Sequence, residues 1–162
     1  MQGFDYLALL RVLAQNEVEF IVVGGVSAAL QGGPANTLDL DIVYRRDAAN
    51  IQRILVAFQS LAARFRMRPE LSPNVSHLES TGHKLLITNL GPLDVLGSIG
   101  KQLTYEDLIE HTVEMNVDEF RVRVLQLETL IQLKEELGRE KDLAMLPTLR
   151  ATLAEKRRLA LK

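Results

Sequence analysis

Three aspartates, Asp39, Asp41 and Asp94, are the side chains of this sequence best suited to chemistry. Asp39-Leu40-Asp41 lies inside an apolar stretch, residues 38–44, that reads as a strand with Leu38, Leu40 and Ile42 on one face and Asp39, Asp41 and Val43 on the other. Two acids at i and i+2 on a strand point the same way, with β-carbons about 7 Å apart. Such a pair can share one cation, or two cations about 3.5–4 Å apart. A D-x-D pair on its own reads more readily as a solvated strand face. Aspartate is poorly suited to strands, however, and a third one sits in Gly91-Pro92-Leu93-Asp94-Val95-Leu96, again among strand formers. Like charges gathered on one sheet face repel unless protons or a cation compensate. Magnesium, a hard ion that takes oxygen ligands, is the natural compensation.

The second chemical signal is Gly24-Gly25, placed after an apolar run, Phe20-Ile21-Val22-Val23, and before a short helical stretch at residues 26–31. Glycines at a strand-to-helix turn let backbone N–H groups approach a phosphate, and the helix start adds partial positive charge. Ser27 offers a hydroxyl to the same phosphate, or caps the helix. Strand-GG-helix is also a common tight turn.

The elements that must position these residues follow from periodicity. Residues 4–15 carry Tyr6, Leu9, Leu10 and Leu13 at helical spacing. Residues 48–63 form a longer helix with Ile51, Ile54, Leu55 and Phe58 inward, and 64–73 read as a strand followed by a loop. Strands at 83–88 and 93–96 pair around Asn89-Leu90-Gly91-Pro92. Residues 104–110 open with Thr104 and Asp107, a variant of the capping box. A hairpin spans 113–117 and 120–125, and two helices, 127–137 and 140 to about 160, finish the chain with Gly138 as their joint. Pro147 is expected to kink or divide the second. One α+β domain over residues 1–162 accounts for the whole chain.

Composition narrows the function classes. Of 162 residues, 47% are apolar and 25% charged, as in an ordinary globular domain. No apolar run reaches the roughly 18 residues of a membrane span, and the N-terminus lacks the basic start of a signal peptide, so a cytoplasmic location is expected. The absence of cysteine removes thiolate catalysis and cysteine zinc sites. His77, His83 and His111 show no zinc-ligand spacing. A net charge of -2 argues against a chain built mainly as a nucleic-acid clamp. The basic residues Lys156, Arg157, Arg158 and Lys162 read as a soluble helix end or as a contact for RNA backbone.

Taken in order, Val22-Val23-Gly24-Gly25-Val26-Ser27, Thr37-Leu38-Asp39-Leu40-Asp41-Ile42 and Leu93-Asp94-Val95-Leu96 resemble the nucleotidyltransferase superfamily with the DNA polymerase beta-like fold. The run Leu130-Ile131-Gln132-Leu133-Lys134, with Gly138-Arg139-Glu140-Lys141-Asp142-Leu143, is similar to the basic C-terminal helix of its AbiEii-type toxin branch. The resemblance implies a mixed β-sheet flanked by helices with a C-terminal helical pair. It also implies metal-site roles for Asp39, Asp41 and Asp94, with two magnesium ions when a nucleoside triphosphate is bound. Gly24, Gly25, Ser27, Thr37, Arg139 and Lys141 become nucleotide-binding candidates, and Lys134 a catalytic one. The activity implied is transfer of a nucleoside monophosphate to a hydroxyl of RNA, protein or a small molecule, in a toxin that pairs with an antitoxin-like partner. The chain departs from the pattern at Gly33-Pro34-Ala35-Asn36-Thr37, where relatives often carry an arginine.

Three other readings compete. A catalytically inert member of the same fold would act as a binding or regulatory partner. A haloacid-dehalogenase-type phosphatase also uses D-x-D, but at the end of a long apolar strand that Gly33-Pro34-Ala35-Asn36 cannot form. A D-x-D glycosyltransferase normally needs a much longer domain.

Overall fold

The computed structural model describes residues 4–34 and 36–161, so Ala35, within the segment that departs from the family pattern, lies outside the described residues. Helix α1 (Tyr6–Gln15) is started by Asp5, whose carboxylate accepts from the Ala8 amide at 3.0 Å, and it buries Leu9, Leu10 and Leu13. Strand β1 (Phe20–Val23) is buried at all four positions and runs directly into α2 (Gly24–Leu30). Strand β2 (Leu40–Tyr44) precedes α3 (Ala48–Leu61), which Asp47 caps through the Asn50 amide. The chain continues through β3 (Arg64–Phe65), α4 (Val75–Glu79), β4 (His83–Thr88) and β5 (Gly91–Leu96). Helix α5 (Tyr105–Leu108) and a 3-10 turn, Ile109–His111, lead to the hairpin β6 (Thr112–Val117) and β7 (Phe120–Leu125). Helices α6 (Leu127–Leu137) and α7 (Glu140–Ala160) close the chain, jointed at Gly138 with φ +61°.

The seven strands form one mixed sheet in the order β3-β4-β5-β2-β1-β7-β6. Pairs β1–β7 and β2–β5 are parallel, and the other four are antiparallel. Alternation along the strands feeds two cores. Val22, Ile42, Leu86 and Val95 meet α1 and α3 on one face, while Ile21, Val23, Val43 and Leu96 meet α6 and α7 on the other. Emptying any such leucine or isoleucine position to alanine costs about 2–5 kcal/mol, from lost transfer energy plus the cavity left behind. This is the α+β architecture expected, a mixed sheet flanked by helices with a C-terminal helical pair.

Four local expectations are corrected. Strand β2 starts at Leu40, leaving Leu38 80% exposed and Asp39 in a bend ahead of the strand. Helix α2 starts at Gly24 rather than Val26, because glycines without β-carbons fit the crowded first turn beside β2. Helix α4, absent from the sequence reading, is a five-residue helix set by a capping box between Asn74 and His77. Helix α7 is not divided at Pro147, the second of the two outcomes expected there. The hydrogen bond Pro147 lacks would have gone to Leu143, a residue 47% exposed, where water is available to the carbonyl.

Candidate active site

The parallel pairing of β2 with β5 sets Asp41 directly against Asp94, and the antiparallel pairing of β1 sets Val23 against Asp41. Paired residues share a face, so both acids lie on the side covered by α6 and α7. Asp39 reaches them from the bend, whose carbonyl at Asp39 accepts from the Thr37 hydroxyl at 3.0 Å. Carboxylate oxygens of Asp39, Asp41 and Asp94 all fall within 4.8 Å of one another. The chain thus brings its three acids together across 55 residues of sequence.

Such crowding has a visible cost. Burial, then the charges of Asp39 and Asp94, pushes the Asp41 carboxyl up to about 8, with Lys134 opposing. Asp39 is also raised, by burial first and by the Asp94 charge second. An acid cluster that prefers to hold a proton at neutral pH is a set of hard oxygen donors that could hold a cation in the proton's place. The donor set therefore fits magnesium.

Gly24 has φ +69°, and a β-carbon there would overlap the Asp41 carboxylate. A β-carbon at Gly25 would come within 2.9 Å of Thr37. Both glycines thus let the first turn of α2 sit against the acid cluster. Ser27 is placed differently from the other candidates. It is fully buried, and its hydroxyl donates back to the Gly24 carbonyl at 2.5 Å, so it fastens the turn from behind.

Opposite the acids, the joint between α6 and α7 supplies cations. Asp142, 1% exposed, accepts from Lys134 at 3.1 Å and from the Arg139 guanidinium. Hydrogen bonds from Arg139, then from Lys134, hold its carboxyl below the usual range. Its burial makes the pairing matter. One anchored carboxylate fixes two bases. Lys134, Arg139 and Lys141 line a cleft of about 490 Å³ together with Gly24, Gly25 and Asp41. Ala28, Leu130, Met145 and Leu149 add apolar surface to its lining.

The sequence reading missed Arg66. Its Nη2 donates to Asp94 Oδ1 at 2.6 Å and to the Leu86 carbonyl at 2.9 Å. The only sequence signal was the alternation Arg64-Phe65-Arg66-Met67-Arg68 on a strand two residues long.

No family model matches the chain, and no curated protein matches its sequence. Solved structures do match it. One is the lincosamide antibiotic adenylyltransferase LnuA with lincomycin bound, at TM-score 0.63 and 13% identity, covering 94% of this chain and 99% of that one. The antibiotic-resistance factor ANT(2'')-Ia matches at TM-score 0.59 and 14% identity over 95% and 86% of the two chains. A protein from Thermotoga maritima proposed to be a nucleotidyltransferase matches at TM-score 0.57 and 23% identity over 95% and 97%. The fold is that of the nucleotidyltransferases. Identities this low carry the architecture of a nucleotidyltransferase but not its substrate. Among the described residues no helix is long and apolar enough to cross a membrane.

Proposed function

We propose that this chain is a magnesium-dependent nucleotidyltransferase that moves a nucleoside monophosphate from a nucleoside triphosphate to a hydroxyl acceptor. The observation that carries the reading is the meeting of three carboxylates, one of which, Asp41, lines a cleft that also bears Lys134, Arg139 and Lys141. Acids beside bases match a polyphosphate with its metal ions.

Asp39, Asp41 and Asp94 would hold the magnesium. When bound, it supplies charge neutralisation of the triphosphate and lowers the pKa of the attacking hydroxyl. Lys134, Arg139 and Lys141 offset the phosphate oxygens, and Asp142 keeps the first two aimed. Gly24 and Gly25 bring backbone N–H groups to the same phosphates, with Thr37 bracing the bend beside them. Ser27 serves this turn through its bond to Gly24 rather than through the ligand. The acceptor oxygen bonds to the α-phosphorus, the bond from that phosphorus to pyrophosphate breaks, and the hydroxyl proton passes to Asp94. Positioning and electrostatics account for the rate. The toxin role and an antitoxin-like partner are supported only by the run from Lys134 to Asp142.

The test is transfer of label from each of four α-labelled triphosphates to total RNA, total protein and a small-molecule extract, with magnesium. Wild type should label one acceptor pool and release pyrophosphate, while Asp41→Asn should not. An inert binding partner would give no transfer with any nucleotide and no melting shift with nucleotide plus magnesium, and that pair of results would defeat the proposal.

A further inference from the structure

Arg66 stands on the far side of Asp94 from the basic cleft. Its backbone amide bonds to the Leu85 carbonyl at 2.9 Å, which continues the β3–β4 pairing. The register then runs from Leu85 to Asp94 to Asp41 across three strands of one face. Leu85 is 41% exposed, so no helix covers this end of the face. The guanidinium therefore borders open space beside the carboxylate that receives the hydroxyl proton.

A guanidinium has five N–H donors, and Arg66 commits only those on Nη2. Nη1 makes no hydrogen bond among the described residues and stays accessible, while Nε is buried without a partner. A buried donor left unpaired costs on the order of 1–3 kcal/mol, more when charged, and such a group in a native structure calls for an explanation. The pairing with Asp94 is also one-pointed. It uses Oδ1 alone and leaves Oδ2 for a cation. A residue needed only to neutralise Asp94 would engage both oxygens through its fork.

We infer that Arg66 has two tasks: it orients Asp94, and it receives an anionic oxygen of the acceptor, a phosphate close to the reacting hydroxyl. The inference rests on the transferase reading above. The preferred acceptor is then a phosphorylated compound or a polynucleotide end rather than a neutral alcohol. The two sources share one chemistry, an oxyanion held by the accessible Nη1 donors of Arg66 while the neighbouring hydroxyl faces Asp94.

The experiment begins with protein saturated by magnesium and a non-hydrolysable analogue of whichever triphosphate raises its melting temperature most. Glycerol 3-phosphate, a single-stranded RNA hexamer with a 3′ hydroxyl, and neutral glycerol are then titrated in, and the arginine Nε–H signals are followed by NMR. The Arg66 signal is assigned by its loss in Arg66→Lys. At least one phosphate-bearing probe should shift that signal, and glycerol should not. Response to glycerol 3-phosphate alone assigns a small acceptor, and response to the hexamer alone assigns a polynucleotide. Arg66→Gln should weaken the responding probe at least tenfold and weaken nucleotide binding several-fold less, with Arg66→Lys intermediate. A loaded protein whose Arg66 signal ignores both phosphate probes, or an Arg66→Gln protein that binds them as wild type does, overturns this inference alone. A wild type that no triphosphate stabilises overturns the transferase reading, and this inference falls with it.

Discussion

Replacing Asp41 with asparagine should make the metal-free protein more stable while abolishing its response to magnesium. The Asp41 carboxyl titrates near 8 in the folded chain against 3.8 for an unperturbed aspartate. Because the folded pKa is the higher one, the folded state holds a proton that the unfolded chain has released. Stability therefore falls as pH rises from about 4 to about 8, and the cost is complete above that window. At 1.36 kcal/mol per unit, a shift of about four units sets a ceiling near 6 kcal/mol. Water in the cleft screens the cluster, which reduces the recoverable part to about 2 kcal/mol. For a domain of this size that corresponds to roughly 4–8 °C in melting temperature. The assay is a thermal melt of wild type and Asp41→Asn in chelator at pH 5, 6, 7 and 8, then with magnesium. The variant's advantage should grow with pH, and magnesium should stabilise wild type alone. A constant difference across pH, a variant less stable than wild type at pH 8, or equal magnesium shifts in both proteins would refute the reasoning.

Three further perturbations separate the roles of the surrounding residues. Gly24→Ala places a β-carbon in the Asp41 carboxylate at a positive φ, and should cost about 1–3 kcal/mol and eliminate the magnesium-dependent melting shift. Asp142→Asn leaves Lys134 and Arg139 without their buried anchor. It should destabilise by about 3 kcal/mol in denaturant melts and weaken triphosphate binding by isothermal titration at least tenfold, with magnesium binding alone little changed. Lys84→Met removes a buried ammonium that donates to the Tyr44 hydroxyl and to the carbonyls of Ser80 and Gly82. With those acceptors unpaired it should lose about 3 kcal/mol or more, yet keep the wild-type magnesium midpoint, because Lys84 belongs to the opposite face of the sheet.

Sequence reasoning reached the acids because strand alternation is local. A D-x-D within an apolar run, and a lone aspartate in a second run, are visible without knowing which strands pair. Their meeting followed only from the family resemblance, since it depends on β2 and β5 lying side by side in one register. Ser27 reads from sequence as a phosphate donor or as a cap, because the helix is expected from Val26. Starting it at Gly24 turns Ser27 into the core. Arg66 escaped because it follows a strand only two residues long that exists through its pairing with β4, and the alternation Arg64-Phe65-Arg66-Met67-Arg68 is too short to mark it. The start of β2 was misjudged for a related reason. The Thr37 hydroxyl binds the Asp39 carbonyl and replaces a strand hydrogen bond with a bend. Such side chain to backbone competition is a known weakness of propensity arguments.

The most direct measurement is a crystal structure with manganese in place of magnesium and a non-hydrolysable triphosphate, read by anomalous scattering. Manganese should sit within about 2.0–2.3 Å of oxygens from Asp39, Asp41 and Asp94, with the triphosphate between them and Lys134. A triphosphate bound away from the acids, or no anomalous peak among the three carboxylates at saturating manganese, would contradict the account.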